Sequence, residues 1–220
     1  MNGPDWHIQC DAAVFERIKG EPNFQQILAL SRAVNSLQFV IDAFVPDAQE
    51  VSSKAWRGRI NSFLFGSAIL YEGLLLVEKM NQQFGDNEIF RKGLYTLLKD
   101  PAARALRKSH MGPVRNFAVF HYDSEEFGKI VRSAGVHECA FMVGRGASGR
   151  ESYFPLADEI ATELLMGRAG SDEDFYEHLA AVIGSTKQLT IRFIEFSHTL
   201  ILKCLKDWRF IPTLSGPNAK

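Results

Sequence analysis

The stretch EPNFQQILALSRAVNSLQFVIDAF, from Glu21 to Phe44, has the spacing that decides the class of fold. Its apolar residues recur at alternating steps of three and four, and they are Ile27, Leu30, Val34, Leu37, Ile41 and Phe44. Residues at these steps share one face of an α-helix, so the stretch is predicted to be an amphipathic helix. Pro22 near its start and Pro46 just beyond its end are typical of helix boundaries.

Helical periodicity predicts most of the other elements as well. A second long helix is expected from about Lys54 to Phe84, and a third over EIFRKGLYTLLKD, closed by Asp100-Pro101. A short fourth helix is expected to stop at Gly112-Pro113, and a fifth to begin there. One long final helix is expected near the C-terminus, with Ser171 as its N-cap and Gly184 as a candidate interruption.

The pattern changes between about residues 138 and 155. Here ECAFMVGRGASGRESYFP has two short apolar runs around a glycine-rich turn, which predicts a β-hairpin. The terminal stretch PTLSGPNAK is expected to be frayed. No repeat or long linker divides the chain. Residues 1–220 are therefore predicted to form one mainly α domain, a helical bundle with a small β-hairpin insertion before the last two helices.

The composition is that of an ordinary soluble globular protein. Of 220 residues, 46% are hydrophobic and 23% are charged, and the net charge of −1 gives no global attraction to a polyanion. The three cysteines, Cys10, Cys139 and Cys204, lack CxxC spacing, which favours a reducing compartment. No signal peptide is recognisable, and SAILYEGLLLVEKM, interrupted by Glu72 and Glu78, is expected to be too short and too charged to cross a membrane. The predicted location is cytoplasmic.

The stretch VRNFAVFHYD carries the most distinctive set of polar residues: Arg115, Asn116, His121 and Tyr122. If a helix begins just before it, Arg115 lies in the first turn, where an arginine beside free backbone N–H groups suits a phosphate. When an RNA is cleaved through attack by its own 2′-hydroxyl, the reaction needs a base, an acid and a cation beside the phosphorus. Histidine suits the proton transfers and arginine the phosphate, while Asn116 and Tyr122 are candidates to orient these groups.

This spacing resembles the signature of the HEPN superfamily, an arginine, usually followed by a polar residue such as asparagine, and then a histidine after four to six residues. Arg115 and His121 match it, with residues 116–120 as the spacer, and the surrounding helical pattern is also similar. The resemblance implies a helical bundle that often dimerises and brings two motifs into one cleft. Many members are metal-independent endoribonucleases of toxin–antitoxin or other defence systems, and others have lost activity and only bind or scaffold.

By this resemblance Arg115 and His121 are the predicted catalytic residues, with RNA as substrate, no metal or other cofactor, a homodimer and an antitoxin protein as a candidate partner. Seven basic residues and one acidic residue lie between Arg91 and Arg115. Such a segment suits a phosphate backbone, so Arg107 and Lys108 are predicted to bind substrate together with Asn116 and Tyr122. A solvated helix face is the alternative interpretation of the basic segment.

Two other functions remain open. One is a catalytically inactive HEPN-like module that binds RNA, a nucleotide or a protein partner, and the other is a purely structural helical domain. GRGASGR lacks the ending of a P-loop and is predicted to be a hairpin turn, with RNA contact through Arg145 and Arg150 as the alternative. Glu195 and His198 form half of a di-iron motif and are interpreted as a chance match. Glu72 is expected to pair with an arginine in the core.

Overall fold

The computed structural model describes residues 5–44, 53–119, 125, 128–129, 160–162 and 172–215. The seven α-helices in these ranges are α1 (Ala12–Ile18), α2 (Pro22–Phe44), α3 (Ser53–Phe84), α4 (Glu88–Lys92), α5 (Leu94–Lys99), α6 (Pro101–Leu106) and α7 (Asp172–Asp207). Two π-helical segments follow α6, namely π1 (Arg107–Met111) and π2 (Val114–Val119). The strands are β1 (Asp5–Gln9) and β2 (Ile211–Ser215). The mainly α class is confirmed.

Helix α3 forms the centre of the described bundle and packs against α2, α5, α7, π1 and π2. The Nε2 of Gln26 donates a hydrogen bond to the Oε1 of Gln83 over 2.9 Å, which places the start of α2 beside the end of α3. The predicted apolar stripe of α2 is buried at Ile27, Leu30, Val34 and Leu37, and it continues at Val40. Burial of each such side chain stabilises the fold by about 1.5–3 kcal/mol, so this face holds α2 in the bundle.

Helix α7 packs tightly against α3 at Gly73. A Cβ atom at this position would lie 2.7 Å from the Cζ of Phe193. The Phe193 ring is fully buried and cannot turn away without displacing its neighbours. Gly73 therefore lets the aromatic ring pack directly on the backbone of α3.

The β structure differs from the prediction. Residues 138–155 lie outside the described residues, and the described ones contain no hairpin insertion, so that part of the predicted fold class is corrected. The described β structure is an antiparallel pairing of β1 with β2, in which Trp6 lies opposite Leu214. Residues 212–215 of the tail, predicted to be frayed, are thus in a strand. Strands from opposite ends of a chain lack the turn that identifies a hairpin in sequence.

The predicted third helix is two helices, α4 and α5, separated at Gly93. The backbone of Gly93 has φ −106° and ψ −102°, and these angles lie outside the helical region. A Cβ atom at Gly93 would lie 3.0 Å from the Ile89 carbonyl oxygen and 3.3 Å from the Cβ of Phe196. Because α7 crosses so closely here, the position favours a residue without a side chain.

The prediction that a helix stops at Gly112-Pro113 is wrong. The chain stays helical from Pro101 to Val119, with π-helical turns before and after this pair. The Gly112 N–H donates to the carbonyl of Arg107, five residues earlier. A proline inside an α-helix lacks a donor and collides with the carbonyl of the preceding turn. The wider π turns change the hydrogen-bond pattern around Pro113, which is a known way for a helix to accommodate such an interruption.

The long final helix is confirmed as α7, and it passes through Gly184 without a break. Gly184 is exposed, and a Cβ atom added there would meet no atom within 4 Å beyond its own stretch of helix. The candidate interruption at Gly184 is therefore absent from α7. The proposed N-cap, Ser171, lies outside the described residues.

Within α3, the segment Ile60–Phe84 is long and apolar enough to cross a membrane by length and composition, with 25 residues and a mean hydropathy of 1.6. The prediction that this part of the chain is too short and too charged is therefore corrected. The core helix of a soluble protein meets the same criterion, and 56% of the apolar window is buried inside the structure. The cytoplasmic location stays a prediction.

Candidate functional site

Arg115 of π2 is paired with Glu72 of α3. Its Nε donates a hydrogen bond to the Oε1 of Glu72 over 2.6 Å, and its Nη1 donates to the Oδ1 of Asn116 over 2.9 Å. The Arg115 and Glu72 side chains are 29% and 42% exposed. The expected pairing of Glu72 with an arginine is confirmed, but the pair lies at the edge of the core and not inside it.

The position of Arg115 also corrects one argument for phosphate binding. It does not lie in a first helical turn, because the helical stretch begins at Pro101, about four turns earlier. Free backbone N–H groups are confined to the first turn of a helix. Any phosphate at Arg115 would therefore be held by side chains and not by a helix N-terminus.

Arg107 of π1 is held on two sides. Its Nη1 and Nη2 donate to the Oε1 and Oε2 of Glu78 over 2.5 and 3.2 Å, a bidentate arrangement that keeps the guanidinium plane in one orientation. The guanidinium carbon lies 5.4 Å from the centre of the Tyr71 ring, within the range of a cation–π contact. The hydrogen bonds that Arg107 donates to Glu78 raise the pKa of Arg107 above its ordinary value.

An open cleft of about 540 Å³ lies over this region. The side chains that line it are Tyr71, Arg104, Arg107, Lys108, Asn116 and Phe117. Gly112 and Pro113 complete the lining, so the π-helical distortion forms part of the cleft itself. The structure thus brings together three of the predicted substrate-binding residues, Arg107, Lys108 and Asn116.

Arg104 and Lys108 supply the uncompensated positive charge of the cleft. They are four residues apart on one helical stretch, and both are exposed. In the part of the chain that the structure describes, neither forms an ion pair. Sequence reasoning missed Arg104, although its spacing from Lys108 is the signal that could have identified it.

Much of the basic excess around these residues is neutralised. Acidic partners contact three of the seven basic residues of the segment, in the pairs Glu88–Lys92, Glu78–Arg107 and Glu72–Arg115. Two of these partners come from α3, which is distant in sequence. The alternative interpretation of a uniformly solvated basic face is therefore too simple, because acidic partners hold three of the seven cations, and two of the remaining four, Arg104 and Lys108, line the cleft.

Several predicted residues lie outside the described residues, and they are His121, Tyr122, Arg145 and Arg150. Their roles stay predictions. Glu195 and His198 are exposed on α7. Among the described residues, no group of three or more histidine, cysteine, aspartate or glutamate side chains is arranged to hold a metal ion.

Comparison of the chain with protein-family models, with curated proteins and with solved structures gave no match. The resemblance to HEPN proteins thus rests on the motif residues and the helical pattern around them. A helical fold alone does not define an activity, so function has to be inferred from the chemistry of the cleft and the motif.

Proposed function

We propose that this protein is a metal-independent endoribonuclease of the HEPN type that holds RNA along the cationic cleft. The observation that carries this proposal is the position of Asn116, which lines the cleft and accepts a hydrogen bond from Arg115 over 2.9 Å. The amide thus joins the arginine of the motif to the surface where Arg104 and Lys108 are free to bind phosphates. RNA held at those two cations would pass close to Arg115.

In the proposed reaction the 2′-oxygen of the RNA attacks the neighbouring phosphorus, and the bond from phosphorus to the 5′-oxygen breaks. The 2′-hydroxyl gives up its proton, the leaving oxygen gains one, and the products end in a 2′,3′-cyclic phosphate and a 5′-hydroxyl. His121 transfers protons, because imidazole titrates near neutral pH. Arg115 stabilises the charge that develops on the phosphorane, with Asn116 and Tyr122 in support.

A homodimer would bring two motifs together, as the resemblance implies, and would allow one His121 to act as base and the second as acid. In this setting an antitoxin protein is the proposed partner. The cytoplasm is the proposed location, since RNA is the proposed substrate.

The second candidate is a catalytically inactive HEPN-like module that binds RNA. The ion pair between Arg115 and Glu72 favours this inactive module. The Glu72 carboxylate already balances the positive charge of Arg115, which the scissile phosphate would need. Arg104 and Lys108 would still bind the RNA backbone without any contribution from Arg115. Both candidates therefore bind RNA in the same cleft, and they differ in whether the motif residues catalyse cleavage.

The test is cleavage of an end-labelled mixed-sequence RNA in EDTA. We expect wild-type protein to produce 2′,3′-cyclic phosphate ends, and we expect both His121→Ala and Arg115→Ala to lose this activity while still binding RNA. Arg104→Ala/Lys108→Ala should weaken binding and lower its dependence on salt concentration. A matched control is Arg32→Ala/Lys206→Ala, which removes the same charge from exposed positions that do not line the cleft.

RNA binding without cleavage by the wild type would select the inactive module. Cleavage that persists in His121→Ala would contradict the assignment of the motif. Equal effects of the cleft variant and its control on RNA affinity would remove the cleft from the site. Wild-type protein that neither binds nor cuts RNA would overturn both candidates.

A further inference from the structure

Tyr71 and Arg107 form a cation–π pair that lines the cleft, and phosphate binding does not explain this pairing. Two of the guanidinium nitrogens of Arg107 already donate to Glu78, and the two carboxylate oxygens balance its charge. A phosphate would gain little from a cation in this state. Arg107 and Tyr71 nevertheless both line the cleft, and the guanidinium carbon lies 5.4 Å from the centre of the Tyr71 ring.

We infer that this pair is a stacking platform for one unpaired RNA base, with the adjoining phosphate held between Arg104 and Lys108; this assignment rests on the proposed RNA binding. Unpaired bases stack on aromatic rings and on arginine planes in RNA-binding proteins. Here an incoming base would meet the planar groups of both side chains, which line the same cleft. Phe117 and Pro113 supply apolar surface beside them.

The platform is fixed before the RNA binds. The bidentate contact with Glu78 and the Tyr71 ring restrict the rotamers of Arg107, so little side-chain entropy remains to be lost. Arg104 and Lys108 are exposed and adaptable, which suits a flexible backbone. The cleft thus combines a rigid surface for a base with mobile cations for phosphates, as single-strand-binding grooves do.

The substrate class follows from this arrangement. In an A-form duplex each base is stacked and paired, so its face cannot reach a protein side chain. Only RNA with an unpaired nucleotide can fill the platform. We therefore assign single-stranded or looped RNA, and not uninterrupted duplex RNA, to this cleft.

The test measures the affinity of the wild-type protein for three labelled probes at fixed salt. They are a 2′-O-methyl oligouridylate of about ten nucleotides, which cannot be cut by its own hydroxyl, an abasic strand of the same length, and a duplex with the same number of phosphates per strand. We expect the oligouridylate to bind about 10-fold more tightly than either of the others, because a stacked base contributes a factor of this size.

The variant Arg107→Lys keeps the positive charge but removes the planar guanidinium group. We expect this variant to bind the oligouridylate about 10-fold more weakly than the wild type does. Its affinity for the abasic strand should stay within about 2-fold of the wild-type affinity, since only the first probe has a base to stack. Arg104→Ala/Lys108→Ala should weaken both probes. Thermal unfolding of each variant checks that the fold is kept, and the comparison of probes on wild-type protein gives a result even if Arg107→Lys does not fold.

Equal affinity of the wild type for the oligouridylate and the abasic strand would overturn the platform while leaving RNA binding intact. So would a folded Arg107→Lys protein that loses the same factor on both probes, because Arg107 would then act through charge or structure alone. Failure to bind any probe, together with failure to cleave RNA, would instead overturn the proposed function on which the platform rests.

Discussion

The Nε of Arg115 lies 2.6 Å from the Oε1 of Glu72, and this contact joins the proposed catalytic motif to the central helix α3. A second contact of the same kind joins Arg107 of π1 to Glu78 of α3. The two carboxylates of α3 therefore hold the chain on both sides of Gly112-Pro113, where the hydrogen-bond pattern of the helix is irregular.

The two pairs should differ in strength. We expect a double-mutant cycle with Glu72→Ala and Arg115→Ala to give a coupling free energy of about 0.5 kcal/mol, because both side chains are partly exposed and one hydrogen bond joins them. The cycle with Glu78→Ala and Arg107→Ala should give a larger coupling, about 1 kcal/mol, since that contact is bidentate. Urea unfolding measures both. Equal coupling energies would show that the second hydrogen bond of Arg107 adds nothing to stability.

Asp100 should make stability depend on acid pH. The hydrogen bond from Arg192 lowers the pKa of Asp100, and the amides of Ala102 and Ala103 at the start of α6 add to this effect. A lowered native pKa means that the unfolded chain binds the proton more tightly. The stabilisation is therefore complete above the ordinary value of about 3.9 and is lost as the pH falls through the lowered native pKa.

Replacement of Asp100 by alanine tests this assignment. We expect Asp100→Ala to lower the free energy of unfolding near neutral pH by about 1–2 kcal/mol, because the N-cap and the contact with Arg192 are both lost. The difference between wild type and variant should shrink below pH 4, where the wild-type carboxyl becomes protonated. A difference that stays constant across this range would show that the charge of Asp100 is not responsible.

Two glycines in long helices should respond in opposite directions to alanine. Gly73→Ala should destabilise the protein by about 1–3 kcal/mol, since the new methyl group would collide with the buried Phe193 ring. Gly184→Ala should stabilise it by about 0.5–1 kcal/mol, because the position is helical and open. Thermal or urea unfolding measures both changes, and each variant is the control for the other. A shift in the same direction for both would contradict the packing described at Gly73.

The cysteines should differ in reactivity. Burial raises the pKa of the Cys204 thiol to about 11, and the neighbouring Asp207 adds to the increase. Its thiolate is therefore scarce near neutral pH, whereas Cys10 is partly exposed. In a Cys139→Ser background we expect a thiol reagent at pH 8 to label Cys10 rapidly and Cys204 only after unfolding in denaturant. Rapid labelling of Cys204 in the folded protein would show that α7 opens readily at its end.

Local periodicity was sufficient to predict the long helices. The spacing of Ile27, Leu30 and Val34 indicates one buried face, and α2 buries that face as expected. The break at Gly93 and the continuity at Pro113 could not be predicted in the same way. The break at Gly93 depends on Phe196 of α7, which packs against this position, and the continuity at Pro113 depends on a change in the backbone hydrogen-bond pattern from α to π turns.

The candidate site could likewise be predicted only in part from the sequence. A charge count along the sequence identified the basic segment, but it could not show that Glu78 neutralises Arg107, because that contact spans two elements far apart in the chain. The position of Arg104 at the cleft could be recognised only from the structure, because the other lining residues come from different parts of the chain. Glu72 is the exception, since a carboxylate within an apolar helix needs a cationic partner, and Arg115 provides one.

The pairing of β1 with β2 has a mechanical consequence. Asp5 lies opposite Ser215, so the outer ends of both strands are at the same edge of the sheet. A force that separates the two ends of the described chain would load the hydrogen bonds of this sheet one after another, as in the opening of a zipper, and not all at once. Under tension, the sheet should open at low force before the helices begin to unravel.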